Sequence, residues 1–140
     1  YAGMRRNPEP WLINHGRDVS WYRNTPFAHD FFCGVPGDYH GAYNADHDCG
    51  TVHTASGYES PGQKFWTWGT APSGVIWEDL LTDEDGQYIE VQAGRLPTQG
   101  DTWIFEPHMQ EQWDEHWYPV RSMKGFVKAN AEAAVNLSLG

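Results

Sequence analysis

The sequence is short of cysteine, of positive charge and of long apolar runs, and each shortage excludes something. Only Cys33 and Cys49 occur in 140 residues, too few for a disulfide-rich scaffold. Neither belongs to a CxxC pair. In an oxidising compartment they could close a loop of 15 intervening residues, contributing about 3 kcal/mol. In a reducing one they would be two small buried hydrophobes. No apolar run approaches the ~20 residues of a membrane-spanning helix. Nine Lys and Arg face 19 Asp and Glu, a formal net charge of −10, and no basic cluster exceeds Arg5-Arg6. A nucleic-acid groove needs the opposite balance. Internal repeats and low-complexity tracts are absent. So are a nucleophile elbow, a phosphate loop and an HExxH helix, and no cofactor is expected.

What is present is aromatic and turn-rich. Eight Trp, seven Tyr and six Phe make up 15% of the chain, enough apolar area to exclude a disordered tail. Fifteen Gly and nine Pro point to many turns between short strands. The length fits a single domain over residues 1–140. The first residue is Tyr, so the chain is expected to be a processed product or an excised piece. Its compartment, cytoplasmic or exported, is left open. Asn136-Leu137-Ser138 matches a glycosylation triplet, a pattern common by chance.

The pattern predicts a mainly β, antiparallel fold with one short helix. Residues 1–30, with Pro8, Pro10 and Pro26, read as irregular or edge structure. Val52–Thr54 reads as a short strand. Residues 63–68 form an aromatic strand, with Lys64, Trp66 and Trp68 on one face. Residues 73–81 suit a helix, with Ser73 as N-cap and Ile76, Leu80 and Leu81 buried. Residues 87–92 alternate strongly, with Ile89 and Val91 on one face and Tyr88, Glu90 and Gln92 on the other; this strand and 63–68 are expected to be neighbours in an antiparallel sheet, with Ile89 and Val91 buried. Thr102–Phe105 reads as extended and puts Glu106 on the strand next to 87–92. His116–Val120 reads as extended too, and 126–128 with 134–137 as two hairpin strands around Asn130, with a helical turn over the Ala-rich 129–134 as the alternative.

Three groups of residues carry candidate chemistry. The segment 38–49, followed by His53, is rich in His, Asp and Asn. Imidazoles at His40, His47 and His53 suit a transition metal. Asn44, Asp46 and Asp48 alternate like part of a Ca²⁺ loop but lack its Gly and closing Glu. A polar turn segment capped by its own side chains explains them more simply, and no metal is expected. Glu90, Gln92 and Arg95 form a polar cluster at the end of a rigid strand. Glu106 and His108 flank Pro107, ahead of Glu111, Asp114, Glu115 and His116. Aromatic rings interleaved with carboxylates from Trp66 to Tyr118 suit carbohydrate, whose flat faces stack on Trp and whose hydroxyls pair with Asp, Glu, Gln and Arg.

Four segments in order carry a resemblance: 62–69 (Gly-Gln-Lys-Phe-Trp-Thr-Trp-Gly), 77–83 (Trp-Glu-Asp-Leu-Leu-Thr-Asp), 85–94 (Asp-Gly-Gln-Tyr-Ile-Glu-Val-Gln-Ala-Gly) and 117–120 (Trp-Tyr-Pro-Val). Together they resemble a family of uncharacterised bacterial domains of galactose-mutarotase-like fold. Those domains often stand before helical repeats or beside carbohydrate-active enzymes. The resemblance covers about residues 25–137 and corresponds to the C-terminal half of a β-supersandwich. It implies a sugar held on a concave sheet. It also implies open edges and apolar surface meant for a partner: the N-terminal half, a second copy or another subunit. By the same resemblance, Glu106 is the expected base and His53 or His40 the expected acid. Glu90, Gln92, Arg95, Trp66, Trp68 and Trp77 would contact sugar. A glycoside hydrolase using the carboxylate pair Glu90 and Glu106 is the enzymatic alternative. A structural module binding neighbouring subunits through its sheet edges is the non-enzymatic one.

Overall fold

The computed structural model describes residues 13–32, 37–83 and 85–137, so Cys33 and any disulfide to it lie outside the described residues. The described part is mainly antiparallel β-sheet with one short α-helix. The elements are β1 (Ile13–Asn14), β2 (Arg17–Asp18), β3 (His29–Phe32), β4 (Tyr39–Asn44), β5 (Cys49–Ala55), β6 (Lys64–Thr67), α1 (Pro72–Trp77), β7 (Ile89–Gln92), β8 (Glu115–Arg121), β9 (Lys128–Ala129) and β10 (Ala134–Val135). Two three-stranded sheets position the site. One has the order β3-β6-β7 and the other β4-β5-β8.

In the first sheet β6 pairs antiparallel with β7, as the alternation of both segments predicts. Its register sets Lys64 opposite Gln92, Phe65 opposite Val91 and Trp66 opposite Glu90. Directly opposed residues share a face. Lys64, Trp66, Glu90 and Gln92 therefore occupy one side, and Phe65 and Val91 the other. Phe65 and Val19 form a buried cluster with Val91 packed against it. Ile89 and Val91 are half-buried rather than fully enclosed.

The His-rich segment is not the polar loop its composition predicts. Apart from a four-residue turn, it is the hairpin β4–β5, with His40 opposite His53 and Asn44 opposite Cys49. The turn residues do cap themselves. Asn44 Oδ1 accepts the backbone N–H groups of Asp46 and His47, each at 3.0 Å. Asp48 accepts from the Tyr43 hydroxyl and, at 2.9 Å, from the Lys124 N–H. The turn is thereby tied to the segment that follows β8. The hairpin around Asn130 forms as predicted, Ala129 facing Ala134.

Two expectations fail around the helix. It ends at Trp77 and continues as a π-helical turn over Glu78–Thr82. Ala71, not Ser73, is the N-cap, because Pro72 takes the first helical position, where its missing N–H costs nothing. Ile76 is 52% exposed and Leu80 63% exposed, and Leu81 is exposed too. The π-turn widens the spiral, so spacing that would align these side chains in a regular helix no longer does. Thr102–Phe105 is likewise not a strand; residues 102–114 are irregular. Trp103, Ile104 and Phe105 stand exposed in succession, Ile104 at 78%.

Candidate functional site

The face of β6 and β7 opposite Phe65 gathers the first set of polar groups. Gln92 Nε2 donates to Glu90 Oε2 at 2.7 Å, so the two side chains lie against one another. Beside Glu90, across the strand pair, is Trp66, whose indole Nε1–H is buried without a hydrogen-bond partner. Beside Gln92 is Lys64, buried, with its ammonium donating to the Gly62 carbonyl at 2.9 Å. Burial lowers the Lys64 pKa, and Asp101 partly opposes that shift. Gly62 donates to the Gly94 carbonyl at 2.8 Å, which brings the chain after β7 back over this end of the sheet.

The second set lies on the other sheet. Its register aligns His40 with His53 and His53 with Trp117. Glu115, two residues before Trp117, shares that face. His53 is completely buried and His40 is 7% exposed. Their Nδ1 atoms meet at 3.0 Å, and His40 Nε2 lies 2.8 Å from the Gln92 carbonyl. His53 Nε2 lies 3.4 Å from Glu115 Oε2, and this buried nitrogen makes no hydrogen bond. The other carboxylate oxygen, Oε1, accepts from Ser60 Oγ at 2.7 Å and from Trp113 Nε1 at 2.8 Å. The Trp117 ring lies 4.5 Å from His53, and the Phe65 ring meets His40 edge-on at 5.4 Å. The imidazole pair thus sits between the two sheets.

Burial, then the neighbouring His53, pushes the His40 pKa down to about 4, against a weaker upward pull from its bond to Gln92. Burial also lowers the His53 pKa, with Glu115 opposing it. Burial alone would raise the Glu115 pKa, but donation from Ser60 and Trp113 together with His53 outweighs it, and the net shift is downward. At neutral pH the arrangement is two neutral imidazoles beside a carboxylate.

Arg95 faces elsewhere. It donates to Glu111 Oε1 at 3.2 Å and lines an open cleft of about 300 Å³ with Tyr58, Glu59, Gln110, Gln112 and Trp113. Trp113 therefore touches both this cleft and Glu115. Glu106 is exposed in the irregular stretch, its carbonyl closing a turn to the Met109 N–H at 3.0 Å. It is not on the strand next to Glu90, as the sequence pattern predicts. Trp68 and Trp77 stack on each other at 4.4 Å and 24°, so each covers a face of the other. No group of three or more potential metal ligands occurs among the described residues; the β4–β5 turn puts His47 on the surface while His40 and His53 point inward.

A family model described as a domain of unknown function, DUF5107, matches residues 2–120. The chain belongs to this family. Among solved structures, a TPR-domain containing protein from Parabacteroides distasonis has a similar fold, with a TM-score of 0.62 and 22% sequence identity over 90% of this chain. The chain spans about a fifth (21%) of that protein. In this DUF5107 domain, the sequence pattern and the resemblance together single out Glu90, Gln92, Trp66, His40 and His53, which the fold brings into two connected clusters. It did not single out Ser60, Tyr58 or Trp113, nor separate Glu115 from the acidic stretch around it. The missing signal was the hairpin: pairing His40 with His53 across a turn at 45–48 would have put two imidazoles side by side.

Proposed function

We propose that this DUF5107 domain recognises carbohydrate on the β6–β7 face, as one part of a galactose-mutarotase-like supersandwich. The observation that supports it best is the pairing of Glu90 and Gln92 beside an indole N–H that has no partner. A buried donor left unmet costs about 1–3 kcal/mol. A hydroxyl group both accepts and donates. One sugar hydroxyl can take the Trp66 N–H and give its own proton to Glu90. A phosphate would be repelled by Glu90, and an aliphatic ligand would leave the Trp66 N–H unmet. The carboxylate-pair hydrolase has less support, because Glu106 lies in an irregular segment. Titration with a panel of neutral mono- and oligosaccharides should give saturable heat for at least one. Glu90→Gln and Trp66→Ala should each weaken that binding about tenfold, near the ~1.4 kcal/mol of one lost polar contact. Affinity unchanged from wild type in both variants would remove the β6–β7 face as the site.

The exposed run Trp103-Ile104-Phe105 supports a second element of the proposal, that a neighbouring part of a longer protein or another subunit covers this surface. Sedimentation of the 140-residue chain should then show association that grows with concentration. A monomer at every concentration, with no binding of an apolar dye, would contradict it.

A further inference from the structure

The contacts Gln92 O···Nε2 His40 Nδ1···Nδ1 His53 Nε2···Oε2 Glu115 contain three gaps, and each needs one hydrogen. A carbonyl supplies none, so His40 must donate through Nε2, which leaves its Nδ1 as a lone pair. His53 must then donate through Nδ1, which leaves its own Nε2 as a lone pair facing a carboxylate. Two neutral imidazoles fill two gaps and leave the third empty. The alternative tautomers only move the mismatch to Gln92. The distances follow this count: 2.8 and 3.0 Å for the filled gaps and 3.4 Å for the empty one. The buried His53 Nε2 without a hydrogen-bond partner is the same mismatch seen from the atom.

We propose that His40, His53 and Glu115 form a one-proton switch, in which a proton taken up at His53 Nε2 closes the gap to Glu115 and locks Trp113, the indole that lines the Arg95 cleft. The path from proton to cleft is short. Glu115 Oε2 faces His53 while Oε1 holds Trp113 and Ser60. Without the proton, Glu115 Oε2 faces a lone pair on His53. With it, a charge-assisted bond forms on the second oxygen and the carboxylate is fixed from both sides. The titratable groups that act on the imidazole pair are Glu115 and His116 from β8 and Lys64 from β6; Lys64 and His116 point off the opposite faces of their strands, and Glu115 shares the imidazoles' face. Glu115 is the anion among them, so it is the group that receives the imidazolium. The switch is independent of which ligand the cleft takes, and it does not rest on the carbohydrate reading.

The test is a pH titration of ¹⁵N-labelled protein between pH 4.5 and 8, following the His53 ring nitrogens and the Trp113 indole N–H, the latter assigned from its loss in Trp113→Phe. The indole resonance should move with the same midpoint as His53 and exchange more slowly with solvent on the acid side. Trp113→Phe, at a partly exposed position, should keep the fold. By removing one donor it concentrates charge on Glu115 and should raise the His53 midpoint by about half a pH unit, a threefold gain in proton affinity. His53→Gln should abolish the indole transition; if that variant does not fold, the Trp113→Phe arm decides alone. An indole resonance that stays fixed while His53 titrates, a His53 that never protonates in this range, or an unchanged midpoint in Trp113→Phe would each overturn the switch.

Discussion

The fold should lose stability as pH falls from about 6.5 towards 4, well before most carboxylates are protonated. His40 titrates near 6.5 in the unfolded chain and near 4 in the fold. Between those values the unfolded state binds the proton and the folded state does not. A lowered imidazole pKa therefore stabilises the fold fully above pH 6.5, and that contribution disappears on the way down to 4. Two and a half units correspond to about 3 kcal/mol, or roughly 10 °C in Tm for a domain of this size. The His53 shift has the same direction. The Glu115 shift adds a further loss below its unfolded value, since its pKa too is lowered. Thermal unfolding at half-unit steps from pH 4 to 8 checks this. His40→Gln, which keeps a polar side chain but cannot take a proton, should flatten the upper part of the profile. A Tm that is constant between pH 7 and 4.5 would show that the imidazole pair is not buried as described.

Phe65→Ala should be the most damaging single truncation for both core and site. Phe65 is one of few buried apolar side chains among the described residues; it packs on Val19 and Val91 and presents its ring to the edge of His40. Removing a buried Phe costs about 3–5 kcal/mol through lost burial and the cavity left behind. Against a typical total of about 5–15 kcal/mol, with so small a core, that loss brings the domain close to unfolding. The cavity would also admit water beside His40. The burial that lowers its pKa would weaken, and the imidazole should titrate closer to 6.5. Urea unfolding and His40 titration in the same variant separate the two effects. A loss under about 1 kcal/mol would mean that the two sheets do not depend on this contact.

Legibility in the sequence followed the strength of the alternation. β6 and β7 could be read, with the correct pairing and the correct faces, because apolar and polar residues alternate there between clear turns. The same alternation puts Glu90 and Gln92 on one face. β4 and most of β5 could not be read. Gly41, Ala42 and Gly50 contribute no apolar signal, and the inward-facing residues at 40 and 53 are histidines, which composition assigns to polar surface. The burial of His53 comes from Trp117 and Glu115, more than 60 positions along the chain, a distance that local pattern does not span. The same limit applies to Leu80 and Leu81. Their spacing predicts a buried helical face, but the π-turn rotates them outwards. Trp103, Ile104 and Phe105 look like a strand and so put Glu106 on one; the chain instead leaves these three side chains in solvent.

Locating a bound saccharide tests the central claim most directly. Backbone and indole resonances should be followed during titration with the best-binding neutral saccharide, with a crystal of the complex to place the ring. The account predicts that the largest changes map to Lys64, Trp66, Glu90 and Gln92, with a sugar hydroxyl within hydrogen-bonding distance of Trp66 Nε1 and of the Glu90 carboxylate. Perturbations confined to other surfaces, with the Trp66 indole N–H unmoved at saturation, would contradict it.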